Sequence, residues 1–93
     1  MENSPINAFQ QLMAITAEEC SELTQVAMKQ IRKYDDVNQM DDNMHRQLIE
    51  EVGDVMCMID LMIEYGIISK DDIDARIQIK RDKLKVWSTL IPQ

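Results

Sequence analysis

With 93 residues the chain is too short for two ordinary domains and reads as a single domain over 1–93. Hydrophobic residues at 45% and charged residues at 29% suffice for a core and exclude intrinsic disorder. Ten Lys and Arg against 17 Asp and Glu give a formal charge of −7, which excludes a general duplex-DNA binder because phosphate contacts need surplus cations.

The first predicted element starts at Ser4 and Pro5, an N-cap followed by proline at the first helical position, and runs unbroken to about Tyr34. Phe9, Leu12, Met13, Thr16, Cys20, Leu23, Ala27, Ile31 and Tyr34 recur at the three-and-four spacing of one apolar face. At 1.5 Å per residue such a helix is roughly 45 Å long, so it must bend or find cover on another subunit. Residues 35–43 are polar and rich in capping types, and read as the longest loop.

A second helix is expected from near Asp41–Asn43 to Tyr65, with Gly66 as its left-handed stop. Met44, Leu48, Val52, Val55, Ile59 and Met62 form its primary stripe. From Val55 to Ile63 eight of nine positions are apolar, Asp60 being the exception, and a helix apolar on most sides is buried on most sides. In so small a chain this points to an oligomer. Ser69-Lys70-Asp71-Asp72 resembles a capping box and opens a third helix over about 70–88, with Ile73, Ile77, Leu84 and Trp87 on its inner face. The expected fold class is therefore all-α: three main helices per chain, completed as a four-helix-type bundle by oligomerisation.

Two short motifs carry the chemistry. Glu19 and Glu22 stand in ExxE spacing on the first helix, and Glu51 and Asp54 in ExxD spacing on the second. Residues three apart on a helix project from the same side, with Cβ atoms about 5–6 Å apart, so each motif is a two-carboxylate clip. The 28 residues between Glu22 and Glu51 are enough to finish one helix, turn, and bring the second back beside it. Both clips flank their apolar stripes, where carboxylates repel one another and are costly to bury unless neutralised. A hard divalent cation does this best, and Mg²⁺ takes oxygens from carboxylates, water and phosphates. The competing account is that they are solvated surface acids. Gly53, in mid-helix, either lets a neighbouring helix pack closely or leaves space beside a metal.

The combination Glu19-x-x-Glu22 followed by Glu51-x-x-Asp54 resembles the signature of the all-α, MazG-like NTP pyrophosphohydrolase superfamily. The flanking residues are similar too: Glu18-Glu19-Cys20-Ser21-Glu22-Leu23, then Glu50-Glu51-Val52-Gly53-Asp54-Val55 leading into an apolar run that ends at Tyr65-Gly66-Ile67. The similarity covers roughly residues 8 to 87. It implies a helical homodimer or homotetramer that hydrolyses a nucleoside triphosphate to the monophosphate and pyrophosphate with Mg²⁺, for which Mn²⁺ may substitute. Glu19, Glu22, Glu51 and Asp54 would be its metal ligands and catalytic carboxylates, and a metal-activated water would attack the α-phosphorus. Phosphoribosyl-ATP pyrophosphohydrolases are a nearby alternative, but they typically carry a His soon after the ExxD aspartate, where this chain has Met56-Cys57-Met58. A non-catalytic helical interaction module is the alternative of a different class.

Four lysines are candidates for the substrate's phosphates. Lys29 and Lys33 share a helical face with Glu22, Lys80 falls on the inner face of the third helix, and Lys83 is of the same kind. For Lys80 the competing account is a packed stem with its ammonium in water; for the others it is solvated surface charge. His45 is the single histidine and Cys20 and Cys57 are read as core filling, which leaves little for zinc or nucleophilic schemes. A di-iron carboxylate bundle would need two ExxH motifs, and the chain has none. There is no Gly-rich phosphate loop and no GxSxG elbow. The start of the chain lacks a signal-peptide pattern and no stretch reaches the length of a membrane span, so a cytoplasmic protein without membrane or nucleic-acid partners is expected.

Overall fold

Asn7 closes the first turn of the first helix by a reciprocal pair: its Oδ1 accepts from the Gln10 amide at 2.8 Å, and Gln10 Oε1 accepts from the Asn7 amide at 3.0 Å. The computed structural model describes residues 7–92; the Ser4–Pro5 start signal lies outside them. From this cap α1 spans Ala8–Lys33. Arg32 and Lys33 sit in its last turn, where cations suit the helix dipole. Its 26 residues make it about 39 Å long.

The expected loop is more ordered than its composition suggests. Val37–Gln39 form one turn of 3-10 helix, opened by Asp36, whose carboxylate accepts from the Asn38 amide at 2.7 Å. Asp41 then does two things. Its Oδ1 accepts from the Met44 amide at 2.8 Å, capping α2 (Asp42–Glu64), and its Oδ2 accepts from the Tyr34 hydroxyl at 3.3 Å, tying the end of α1 to the start of α2. Local hydrogen bonding of this kind explains why a run of Asp and Asn makes a fixed connection.

Burial in α1 is centred on Leu12, Thr16, Glu19, Leu23, Val26 and Gln30, and in α2 on Met44, Leu48, Glu51, Val55, Met58 and Met62. Both sets alternate steps of four and three residues, the spacing of a seam between neighbouring helices. On α1 this seam is rotated by about 60° from the apolar face read off the sequence, at 100° per residue. Phe9, Cys20, Ala27 and Ile31 are therefore exposed, and Glu19 lies within the seam rather than beside it. The reason is width. The apolar face of α1 is broader than one partner helix covers, so its midpoint falls between a covered and an uncovered half. Cys20 and Cys57, expected as core filling, are both exposed.

The fully buried apolar side chains are Leu12, Val26, Met44 and Met58, each contributing about 1.5–3 kcal/mol. A larger set, including Phe9, Met28, Ile31, Ile49, Val52 and Met56, is left exposed in the single chain. The chain divides into two compact units, one ending at Leu61 and the other beginning at Met62. In the second, Gly66 takes φ +72°, with its amide bonded to the Ile63 carbonyl and the Ile67 amide to that of Met62, so α2 ends as Gly66 predicts. Ser69 then caps α3 (Lys70–Trp87), accepting from the Asp72 amide at 3.1 Å. On α3 only Ile73, Leu84 and Lys85 are half-buried; Ile77 and Trp87, expected inside, are exposed. No strand occurs among the described residues, and no helix there is long and apolar enough to cross a membrane.

Candidate metal centre

The two carboxylate clips come together. Glu19, Glu22, Glu51 and Asp54 each offer an oxygen, and these oxygens all lie within 4.8 Å of one another. Glu19 faces Asp54, and Glu51 faces Glu22, within hydrogen-bonding reach. An earlier residue of α1 thus meets a later one of α2, so the two helices run antiparallel here, as the return through the Asp41 connection requires.

Burial divides the four into two kinds. Glu19 and Glu51, on the seams, are half-buried, whereas Glu22 and Asp54, one helical step aside, are exposed. Glu19 Oε2 and Glu51 Oε2 are shut off from solvent and have no hydrogen-bond partner. Loss of solvation raises the pKa of Glu19 above its usual value, and the charges of Glu22, Asp54 and Glu18 raise it further. Glu51 is raised in the same way, first by lost solvation and then by Glu22, Asp54 and Glu19. The ion pairs Lys70–Asp74 at 2.9 Å and Lys85–Asp82 at 3.8 Å lie within α3. None of the described lysines or arginines forms an ion pair with the four carboxylates.

Unpaired oxygen donors in this number fit a hard divalent cation such as Mg²⁺, Mn²⁺ or Ca²⁺. The orphaned Oε2 atoms of Glu19 and Glu51 are the groups such an ion would satisfy, since buried polar atoms are nearly always partnered. Access is from the exposed side, where Glu22 borders an open depression with Ala17, Glu18, Ser21 and Gln25. At Gly53 a Cβ would meet nothing within 4 Å, so of its two sequence accounts close helix packing is absent among the described residues and open space is present.

The candidate lysines are more scattered. Lys29 and Lys33 are exposed on α1, seven and eleven residues past Glu22 and hence about 10 and 16 Å along the axis. Lys80 and Lys83 are exposed on α3, in the second unit. The Lys80 ammonium lies 5.8 Å from the centroid of the Trp87 ring, so its stem crosses an inner-face position while its charge rests against an aromatic face. His45 is exposed beside Val37 and Met40. Gln30 was not singled out from sequence, although its signal was present: it is a polar residue in step with Leu23 and Val26 on the α1 seam. Comparison with protein-family models, with curated proteins and with solved structures gives no match for this chain.

Proposed function

We propose that the protein is a Mg²⁺-dependent nucleoside triphosphate pyrophosphohydrolase of the MazG-like kind, converting a (d)NTP to the (d)NMP and pyrophosphate. The observation that carries this is the convergence of Glu19, Glu22, Glu51 and Asp54 within 4.8 Å, with two of their oxygens buried and unpartnered. Bound there, a divalent cation would supply charge neutralisation for the triphosphate and activation of water. The chain's own part is to hold four carboxylates at short range on two helices, so that little rearrangement is needed when cation and substrate arrive. Glu19 and Glu51 form the dry side of the site and Glu22 and Asp54 the side open to substrate. Lys29 is near enough along α1 for its side chain to meet the β- or γ-phosphate, whereas Lys33 stands a further turn away. Lys80 and Lys83 remain proposed phosphate contacts, and for Lys80 that requires leaving the Trp87 ring.

A second copy belongs to the same proposal. On α1, Phe9 and Ile31, and on α2, Ile49, Val52 and Met56, are exposed at helical spacing. Contiguous apolar surface of this kind marks an interface. A homodimer or homotetramer covering it would complete the four-helix arrangement.

The test is incubation with a panel of NTPs and dNTPs plus Mg²⁺ in ¹⁸O-labelled water. Pyrophosphate and a monophosphate bearing the label are expected, and Glu22→Gln and Asp54→Asn should abolish both while leaving the helical circular-dichroism signal intact. Release of orthophosphate, or full turnover by either variant, would overturn the assignment.

A further inference from the structure

Away from the four carboxylates, the first unit holds a groove of about 350 Å³ between the end of α1 and the 3-10 turn. Its walls are apolar: Ile31, Val37, Met40 and Leu48. One polar side chain in its lining has no chemical account within the chain. Gln30 Oε1 and Nε2 are both shut off from solvent, and neither has a hydrogen-bond partner. A carboxamide buried with donor and acceptor both unmet is rare, and an absent ligand or water is the ordinary explanation. The size, the apolar lining and the single convergent polar group are those of a small-molecule pocket.

We infer that this groove seats a nucleobase, with Gln30 hydrogen-bonding to its edge. A carboxamide presents one donor beside one acceptor, complementary to a base edge that does the same, as when Gln pairs with adenine. Tyr34 lines the groove with its hydroxyl bonded to Asp41 Oδ2 at 3.3 Å, which holds the ring as a surface for a flat heterocycle. Asp35 and Asp36, also at the groove, repel phosphate, so an anionic group is not the occupant. The site also lies at a useful distance from the carboxylates. Gln30 is eight residues past Glu22, about 12 Å along the helix, comparable with the length from the α-phosphate to the far edge of the base in an extended nucleotide. The inference rests on the pyrophosphohydrolase reading only for where the phosphates go; the base site itself rests on Gln30 and the groove.

The experiment uses uncharged nucleosides in chelator, so that neither metal nor hydrolysis is involved. Titrating adenosine, guanosine, cytidine, uridine and their deoxy forms into isotopically labelled protein should move the Gln30 side-chain amide and the Tyr34 ring resonances for at least one of them. Gln30→Leu should weaken that binding roughly tenfold to a hundredfold. In turnover it should raise KM for the preferred triphosphate with kcat little changed, because the contact is as strong in the ground state as in the transition state. Gln30→Glu should alter the order of preference among bases. Unmoved resonances with every nucleoside would overturn the base site even if triphosphates are hydrolysed. Nucleoside binding without hydrolysis would uphold it and refute the proposed activity instead. A Gln30→Leu protein that is only more stable, with base preference intact, would show an orphaned amide and no subsite.

Discussion

Replacing Glu51 by Gln separates a metal centre from a group of surface acids, because the two predict opposite signs. Four carboxylates within 4.8 Å make six repelling pairs, and three of these involve Glu51. Glu51→Gln keeps the side chain's shape, removes half of those pairs, and provides a donor beside Glu22. Without metal the variant should therefore melt higher than the wild type near neutral pH. With metal the order should reverse. An ion present at a hundred times its dissociation constant stabilises the native state by about 2.7 kcal/mol. For a domain of this size that corresponds to roughly 10–20 °C in Tm. Wild-type protein should gain an increment of that order with saturating Mg²⁺ or Mn²⁺, at ionic strength matched with KCl, and Glu51→Gln little or none. Scanning fluorimetry reads all four conditions. Glu50→Gln, removing an exposed acid outside the cluster, should resemble the wild type in both. A metal-free Glu51→Gln protein no more stable than wild type, together with a wild-type Tm indifferent to both cations, would refute the site.

The pH dependence follows from the same two residues. Glu19 and Glu51 bind protons more tightly folded than unfolded, where the value is near 4.5. Their contribution to stability is complete below that pH and is lost as pH rises through the raised folded values. In chelator, the Tm of the wild type should fall over that window relative to Glu19→Gln/Glu51→Gln; parallel curves would show that the acids are not strained. Metal affinity, measured by calorimetry, should weaken on acidification through the same window, with protons released on binding. Gly53→Ala should stabilise by about 1 kcal/mol through helix propensity, since a Cβ meets nothing within 4 Å. A lower Tm would instead place a second copy against α2 at that point, and unchanged Tm with lost turnover would place substrate there. Cys20 shares the exposed face of Phe9, Ala27 and Ile31, so its reaction with a thiol reagent should slow as protein concentration rises and copies associate. Labelling independent of concentration would leave that face uncovered.

The helices were legible because their signals are local. Ser69 caps α3 and Gly66 ends α2 with positive φ by chemistry that a few consecutive residues carry. The metal-like spacing was legible for the same reason, since residues three apart share a helix side whatever the tertiary fold. What the sequence left open depends on which half of a broad apolar face meets which neighbour. Periodicity averages over all partners of a helix, so Phe9, Cys20 and Ile31 entered the same stripe as Leu12 and Leu23 although only the latter two are covered in the chain. The same averaging placed Glu19 at the margin of the apolar face. It also passed over Gln30, which weakens a hydrophobic pattern and so is counted as noise unless the four-three register is traced residue by residue.

Those polar interruptions are the strongest link between fold and function. On the α1 seam, Glu19 and Gln30 stand where Leu or Val would add to a core with few fully buried residues, and Glu51 does the same on α2. Substituting apolar residues at these three places would deepen the seam. Nothing in the chain satisfies the buried oxygens of Glu19 and Glu51, or either polar atom of Gln30. A seam that is apolar before, between and after such positions is a poor place for accidental polarity, since each orphaned group is destabilising on its own. Their partners must then come from outside the chain: a cation for the acids, and a flat hydrogen-bonding ligand for the amide. All three belong to helices joined by the short Asp41-capped connection, so whatever occupies one place stabilises the pairing that forms the other. Cation binding should accordingly tighten nucleoside binding, and nucleoside should tighten cation binding by the same factor.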